Sequence, residues 1–329
     1  MAPADAIRRR YRARGADLPF GDPRRDHGVA MEGYFWRLSD RRSGRVVIAL
    51  CGLCRGGGPA WATVALAAHP GGLLWHADLP HAGADPDALG VWAAGEAGSL
   101  RADASGLEVD LGPTARLSVV LGDPGPTRRA MLGGSGVAHL IPGLGQYWHP
   151  HLLAADVRGH AVLGPDTVDL GGFQVYAEKN WGRGGFPRRW WWGQAQGFER
   201  EDVCVAFAGG EVTLGPARTE ATAVVVALGE HRVRLGNPVL APARTSVEGG
   251  RWQVRARGPV WSVQLDGAAP RGEAHVLPVP DLAARRSVPR AHEHLAAGLH
   301  LVLRRRGRVL FAGDSAVAGL ELGGEAVLG

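Results

Sequence analysis

Residues 176–182 read YAEKNWG and set the chain's only lysine, Lys179, beside Asn180, one of two asparagines. Every other basic side chain apart from histidine is arginine, so a single lysine next to Tyr176, Glu178 and Trp181 says more than a common residue would. Taken as a strand, GFQVYAEKNW sends alternate side chains to opposite faces. Gln174, Tyr176, Glu178 and Asn180 share one face, and Phe173, Val175, Ala177, Lys179 and Trp181 share the other. Glu178 and Lys179 therefore do not pair with each other directly. The polar face either meets water or holds reacting groups.

A glycine-rich turn, GRGG at 182–185, leads into FPRRWWWGQAQGF. As a second strand this puts Trp190, Trp192, Gln194, Gln196 and Phe198 on one face, with Trp191, Gly193, Ala195 and Gly197 on the other. Such tryptophans can pack between two sheets. They can equally wall a pocket and stabilise a carbocation with their ring faces. Near the start of the chain, MEGYFWRLSD holds Glu32, Tyr34, Phe35 and Trp36 and reads as the first strand, with aromatics packed inward.

Upstream, GQYWHPHLL as a strand would direct Tyr147, His149 and His151 to one face and Gln146 and Trp148 to the other. Two histidines at i and i+2 can bind a metal only with a third ligand, for which His292 and His294 are the candidates. The intervening Pro150 suggests an edge or irregular turn, where histidine can also act as a proton donor or substrate ligand. No metal site is expected. Cys51 and Cys54 form a CxxC without a second pair and without the βαβ context of a redox motif, so they are expected to be small residues ending a strand. GxSxG elbows, phosphate-binding loops and GxGxxG fingerprints in a βαβ context are absent, which weakens hydrolase, nucleotide-binding and dehydrogenase readings.

The chain has 329 residues, enough for one large domain or two of about 150 residues. Its 37 Lys and Arg against 32 Asp and Glu leave a formal charge of +5. The basic runs, Arg8–Arg10, Arg304–Arg306 and Arg24 with Arg25, do not interleave with exposed aromatics, so no nucleic acid is expected as a partner. There is no run of about 18 apolar residues, and the arginine-rich start lacks the apolar core of a signal peptide. With only three cysteines, the expected location is cytoplasmic.

Short runs such as RVVIALCGL, WATVALAA, GLEVDLG, ATAVVVALG and RWQVRARG recur between Gly, Pro or Asp punctuation, several with period two. Helical candidates are few, chiefly DPDALGVWAAG and PRAHEHLAAG. The expectation is an all-β chain of two antiparallel barrels packed together, with few short helices. An irregular basic lead-in over 1–25, one domain over 26–168 and a second over 169–329 follow from the turn-rich stretch before the YAEKNWG strand.

The blocks EGYFWRLS (32–39), QYWHPH (146–151), YAEKNWGRGGFPRRWWWGQAQGF (176–198) and AGLELGG (318–324) together resemble the tocopherol cyclase family and its bacterial relatives. That family is similar to lipocalin-like proteins of two β-barrel domains, among them carotenoid hydratases. The resemblance implies cofactor-free cyclisation: an alkene of a prenylated hydroquinone is protonated and the phenol oxygen closes onto the tertiary cation. Such chemistry needs a carboxylic acid held protonated by an apolar site. Glu178 is the first candidate for that acid, and His149 or His151 for the base that takes the phenolic proton. Tyr176, Lys179 and Asn180 would orient the acid or the head group. Glu32, Trp36, Tyr147, Trp148, Trp181, Trp190, Trp191, Trp192, Gln194 and Gln196 are the candidate substrate-binding residues. The expected partner is a lipophilic small molecule, a prenylated quinol or a terpenoid, for which peripheral membrane contact is reasonable. Two other readings fit the same residues: a non-catalytic carrier of a hydrophobic ligand, and hydration of the alkene.

Overall fold

The computed structural model describes residues 3–18, 21–122, 134–270, 272 and 274–327. The chain opens with a helix, α1 (Pro3–Arg12), and continues almost entirely as antiparallel strands. The first sheet takes Met31–Ser39 (β1), Val46–Cys54 (β2), Trp61–His69 (β3), Leu73–Leu79 (β4), His81–Ala84 (β5), Gly90–Gly95 (β6), Gly98–Asp103 (β7), Gly106–Asp110 (β8), Ala115–Leu121 (β9), Tyr147–Leu163 (β10), Asp166–Asp169 (β11) and Gln174–Gly182 (β12). The second takes Arg189–Ala195 (β13), Val203–Leu214 (β14), Ala217–Leu228 (β15), His231–Leu235 (β16), Ala243–Glu248 (β17), Arg251–Arg257 (β18), Trp261–Ala268 (β19), His275–Asp281 (β20), Arg286–Arg305 (β21) and Arg308–Gly324 (β22).

Strand order in the first sheet is β4-β3-β2-β1-β12-β10-β9-β8-β7-β6-β5, with β11 paired to β10. The sheet curls until β4 meets β6 and β7, which nearly closes a barrel around its own core of Leu66, Leu100, Leu107, Leu117 and Val175. In the second sheet the order is β16-β15-β14-β13-β22-β21-β19-β18-β17, with β20 paired to β21. It curls until β15 packs on β17, around Phe207, Val226, Val254, Leu265, Leu301 and Leu320. The fold is all-β, as expected from the strand spacing, and lipocalin-like, as the family resemblance implies.

Burial separates two kinds of strand. ARLSVVL in β9 and RWQVRAR in β18 alternate buried with exposed residues, because one face meets water. By contrast VVIALCGLC in β2 and WATVALAAH in β3 are buried almost throughout. One face of these strands fills the first barrel and the other packs on the second sheet, where Val46, Ile48 and Ala67 meet Leu277, Val279 and Leu295. That two-sided burial accounts for continuous apolar runs. Arg37 of β1 crosses the join. It is fully buried, donates 3.0 Å to Gln194 Oε1 and also donates to the carbonyls of Leu295 and Val317.

Four local expectations change. DPDALGVWAAG is a turn followed by β6, and PRAHEHLAAG lies within β21, so both helical readings give way to strand. Alanine favours helix weakly, and ladder pairing on both sides overrides it. The lead-in is helical over Pro3–Arg12, with residues 1, 2, 19 and 20 outside the described residues. The chain leaves the first sheet after Gly182 rather than near residue 168, since β12 pairs with both β1 and β10. Cys51 and Cys54 are free and lie in separate buried clusters, the first inside the barrel and the second against Met31 and Trp61. No helix among the described residues is long and apolar enough to cross a membrane.

Arg37→Met would orphan two buried carbonyls and one amide oxygen at the join. The expected outcome is a loss of about 1–3 kcal/mol, read as a lower urea midpoint at unchanged slope.

Candidate active site

A cavity of about 630 Å³ lies between the two sheets. Phe35, Leu50, Trp148, Trp190, Trp192, Leu277, Val279 and Ala291 form apolar walls, and Glu178, Asn180, Glu293 and Glu321 bring polar atoms to them. The site depends on period two in β12. Glu178 and Asn180 face this cavity, while Lys179 and Trp181 face away from it.

Glu178 is buried, and three donors converge on one of its oxygens. Trp148 Nε1 donates to Oε2 over 2.7 Å, Trp192 Nε1 over 2.8 Å, and the Tyr176 hydroxyl donates to the same atom. Among the described residues none is recorded donating to Oε1. Burial pushes the carboxyl's pKa above its ordinary value, against the three hydrogen bonds, which favour the anion. An indole can only donate, so Oε2 is occupied as an acceptor and the acid proton belongs on Oε1. The result is a carboxylic acid whose conjugate base already has three fixed donors aimed at it. Trp190 lies flat along β22, where a side chain at Gly323 would overlap it: a Cβ there would come within 1.9 Å of its ring.

The opposite side of β12 is a charged network of another kind. Lys179, fully buried, lies 2.6 Å from Glu32 Oε2 and 3.0 Å from His27 Nδ1, and donates to the Arg25 carbonyl. His27 Nε2 lies 2.7 Å from Asp17, which also meets Arg12. Arg55 reaches Glu32 at 2.9 Å and Asp26 at 2.8 Å. Burial opposes ionisation of Glu32, but Lys179 and Arg55 outweigh it and hold the carboxyl down to about 2. Burial, then the Lys179 charge, push His27 well below the usual imidazole value, so the neutral ring accepts from Lys179 at Nδ1 and donates to Asp17 at Nε2. These contacts tie residues 12–27 to the β1–β12 ladder. Backbone bonds from Asp17 to His139 and from Gly143 to Arg14 carry the tie on to the segment bordering the cavity.

The sequence-derived candidates thus divide. Glu178, Asn180, Tyr147, Trp148, Trp190, Trp191 and Trp192 border the cavity, and Tyr176 reaches it through Glu178. The Trp191 ring belongs to the second core, where Nε1 donates to Thr222. Trp36 fills the first barrel. Glu32 pairs with Lys179, and Trp181 stacks between His27 at 4.2 Å and Tyr147 at 5.5 Å. Gln194 and Gln196 bind Arg37, Ser39 and the Gln174 carbonyl at the join between sheets.

His149 and His151 do not border the cavity. They lie near each other, with His149 edge-on to His139, and burial pushes His149 well down and His151 to about 3. A base for a substrate in this cavity must therefore come from elsewhere. His292 and His294 flank Glu293 on β21, whose alternating burial turns Glu293 inward. Glu293 and Glu321 were not singled out by sequence reasoning, although both stand in quoted stretches, PRAHEHLAAG and AGLELGG. Reading those stretches as strands with period two would have found them.

Lys179→Met would leave Glu32 and Asp17 short of a buried cation. The expected cost is about 3–5 kcal/mol, with faster proteolytic cleavage within residues 12–26.

No curated protein sequence matches the chain significantly. Among solved structures, CghA with Sch210972 is similar over 90% of this chain and 88% of that chain, at 12% identity and a TM-score of 0.61. Kievitone hydratase from Nectria haematococca is similar over 88% and 87%, at 9% identity and a TM-score of 0.53. At such identity these likenesses establish the fold alone. Residues 158–324, just over half of the chain, match the family described as tocopherol cyclase-like. That span carries the Glu178 strand, the tryptophan strand and both further glutamates, and on it the chain belongs to the tocopherol cyclase-like family.

Proposed function

We propose that the protein is a cofactor-independent cyclase that protonates an alkene of a prenylated hydroquinone or terpenoid and lets an internal hydroxyl close the ring. The observation that carries this reading is Glu178: a buried carboxyl bordering an aromatic cavity, with a raised proton affinity, three donors on one oxygen and none on the other among the described residues. Family membership supports ring closure as the reaction type.

The steps follow from charge. Glu178 Oε1–H gives its proton to the alkene, the π pair becomes a C–H bond, and a tertiary cation remains. Trp148, Tyr176 and Trp192 hold the new carboxylate without reorganising. Indole rings along the wall offer their faces to the cation. The hydroxyl oxygen's lone pair then forms the C–O bond, the O–H bond pair stays on oxygen, and its proton leaves to the protein, replacing the one Glu178 gave.

Hydration is a second reading, favoured by the shared fold of kievitone hydratase. The acid step is the same and water captures the cation. Product mass separates them, because cyclisation leaves mass unchanged and hydration adds one water.

Exposed apolar residues beside the opening support uptake of a lipophilic substrate from a lipid surface. Val137 and Ile141 border the cavity, and Val239, 84% exposed, and Leu240, 67% exposed, follow the bordering Pro238.

Incubation with a prenylated benzoquinol is expected to give a product of equal mass, with Glu178→Gln slower by at least about 10²–10⁴-fold. Gln keeps an oxygen for the three donors, so ligand binding by tryptophan quenching should persist. Because the acid must be protonated, activity is expected to fall as pH rises through its raised pKa. Equal turnover by the variant would overturn the assignment. A Val239→Asp, Leu240→Asp double variant is expected to slow turnover of vesicle-borne substrate while leaving the detergent-dispersed rate unchanged.

A further inference from the structure

Two carboxyls on the cavity wall have no part in the steps above. Glu293 of β21 and Glu321 of β22 stand directly opposite each other in the ladder, and both border the cavity. Directly opposed side chains on one face have Cβ atoms about 4.5–5.5 Å apart. Glu321 accepts a hydrogen bond from Trp190 Nε1. Glu293 is fully buried, and neither of its oxygens has a hydrogen-bond partner among the described residues. Arg37 Nε is likewise buried without a partner. Gly319 stands between them: a Cβ built there would lie 2.9 Å from Arg37 Nε and 3.2 Å from Glu293 Oε1. Glycine leaves that volume open.

Two anions cannot share so apolar a wall, so one member of the pair keeps a proton. Burial, then the neighbouring Glu321 charge, hold Glu293 well above the usual carboxylate range, with Arg37 opposing. Burial pushes Glu321 up to about 7, softened by the Trp190 bond and raised further by Glu178. The groups facing the pair are Trp190 of β13, Glu178 of β12, Arg37 of β1 and His275 of β20, which stands opposite Glu293 in the ladder and which burial pushes below the usual imidazole value. Near neutral pH the pair is Glu293 protonated and Glu321 close to half ionised, which suits a base.

We propose that Glu321 is the base that takes the proton from the capturing oxygen, while protonated Glu293 donates a hydrogen bond to the polar end of the same ligand. The inference rests on the reading of Glu178 as the acid. As Glu178 gives its proton to carbon, its new charge raises the proton affinity of Glu321. The oxygen lone pair forms the C–O bond, the O–H bond pair stays on oxygen, and the proton passes to the Glu321 carboxylate. Transfer of that proton back to Glu178 restores the starting state, so the net reaction is an isomerisation. Water as the capturing group would use the same base.

The test pairs turnover with a readout that needs no substrate. With a prenylated benzoquinol, the wild-type kcat/KM is expected to rise with pH as Glu321 ionises and to fall as Glu178 does. Glu321→Gln is expected to lose the rising limb and about 10²–10⁴-fold in rate, with tryptophan quenching by the ligand retained. Infrared difference titration of the free protein should show a carboxylic acid carbonyl band that disappears with a midpoint near 7, present in Glu178→Gln and absent in Glu321→Gln. A near-neutral band that survives in Glu321→Gln, or wild-type turnover with an intact rising limb in that variant, overturns the relay. Wild-type turnover in Glu178→Gln instead overturns the acid assignment, so the two failures are distinct. If the quinol is not a substrate, the infrared titration alone decides whether Glu321 holds the titrating proton.

Discussion

Two sheets that each enclose a core can join only by burying their outer faces, and the strands at that join have no face left for water. β1, β2, β3 and β12 bear this constraint. Every polar group on them must find a partner inside the protein or remain as a reactive group. Arg37 meets the requirement with carbonyls and an amide from the second sheet. Gln196 meets it with Ser39 and the Gln174 carbonyl. The cavity is the part of the join where the two walls diverge, and its polar groups are the ones left incompletely matched.

Glu178 and Lys179 show the two outcomes side by side. Adjacent in sequence, they point to opposite faces and meet opposite electrostatics. Lys179 lies against the Glu32 carboxylate, with Arg55 and His27 completing the set, so its charge is compensated where it sits. Glu178 has neutral donors only, and no cation lies within ion-pair distance among the described residues. A carboxyl paired with a cation is held ionised and holds structure together. A carboxyl surrounded by neutral donors in an apolar wall has its proton affinity raised by burial, which is the direction general acid catalysis demands. The lone lysine thus belongs to the fastening of the N-terminal segment, and the residue before it belongs to the cavity.

Much of this was legible in period two. The split of Glu178 from Lys179, and of Trp190 and Trp192 from Trp191, follows from alternation alone and holds in the structure. Registers between distant strands were not legible. Nothing in the sequence says that Glu293 stands opposite Glu321, or that Trp148 reaches Glu178 from β10 across a ladder that shifts register after Pro150. For the same reason His149 and His151 looked available, because His149 is buried against His139 from a segment ahead of β10 and His151 lies near Arg24 and Asp22 from the segment ahead of β1. Alanine-rich β6 and β21 misled on local propensity, which ladder pairing overrode.

All four glutamates that border the cavity, 178, 211, 293 and 321, lie inside the span that matches the tocopherol cyclase-like family, and so do Trp190 and Trp192. Phe35, Leu50 and Trp148 lie outside it, yet they form the facing wall. The acid and its surroundings therefore come from one stretch of chain, and much of the shape that a ligand must fit comes from another. Trp148 joins the two, since it is both wall and donor to Glu178. A change at Phe35 or Leu50 reshapes the space without touching any carboxyl. A change at Trp148 alters the space and removes one of the three donors that catch the anion. On this geometry, ligand shape can vary at Phe35 and Leu50 apart from acid strength, whereas at Trp148 the two change together.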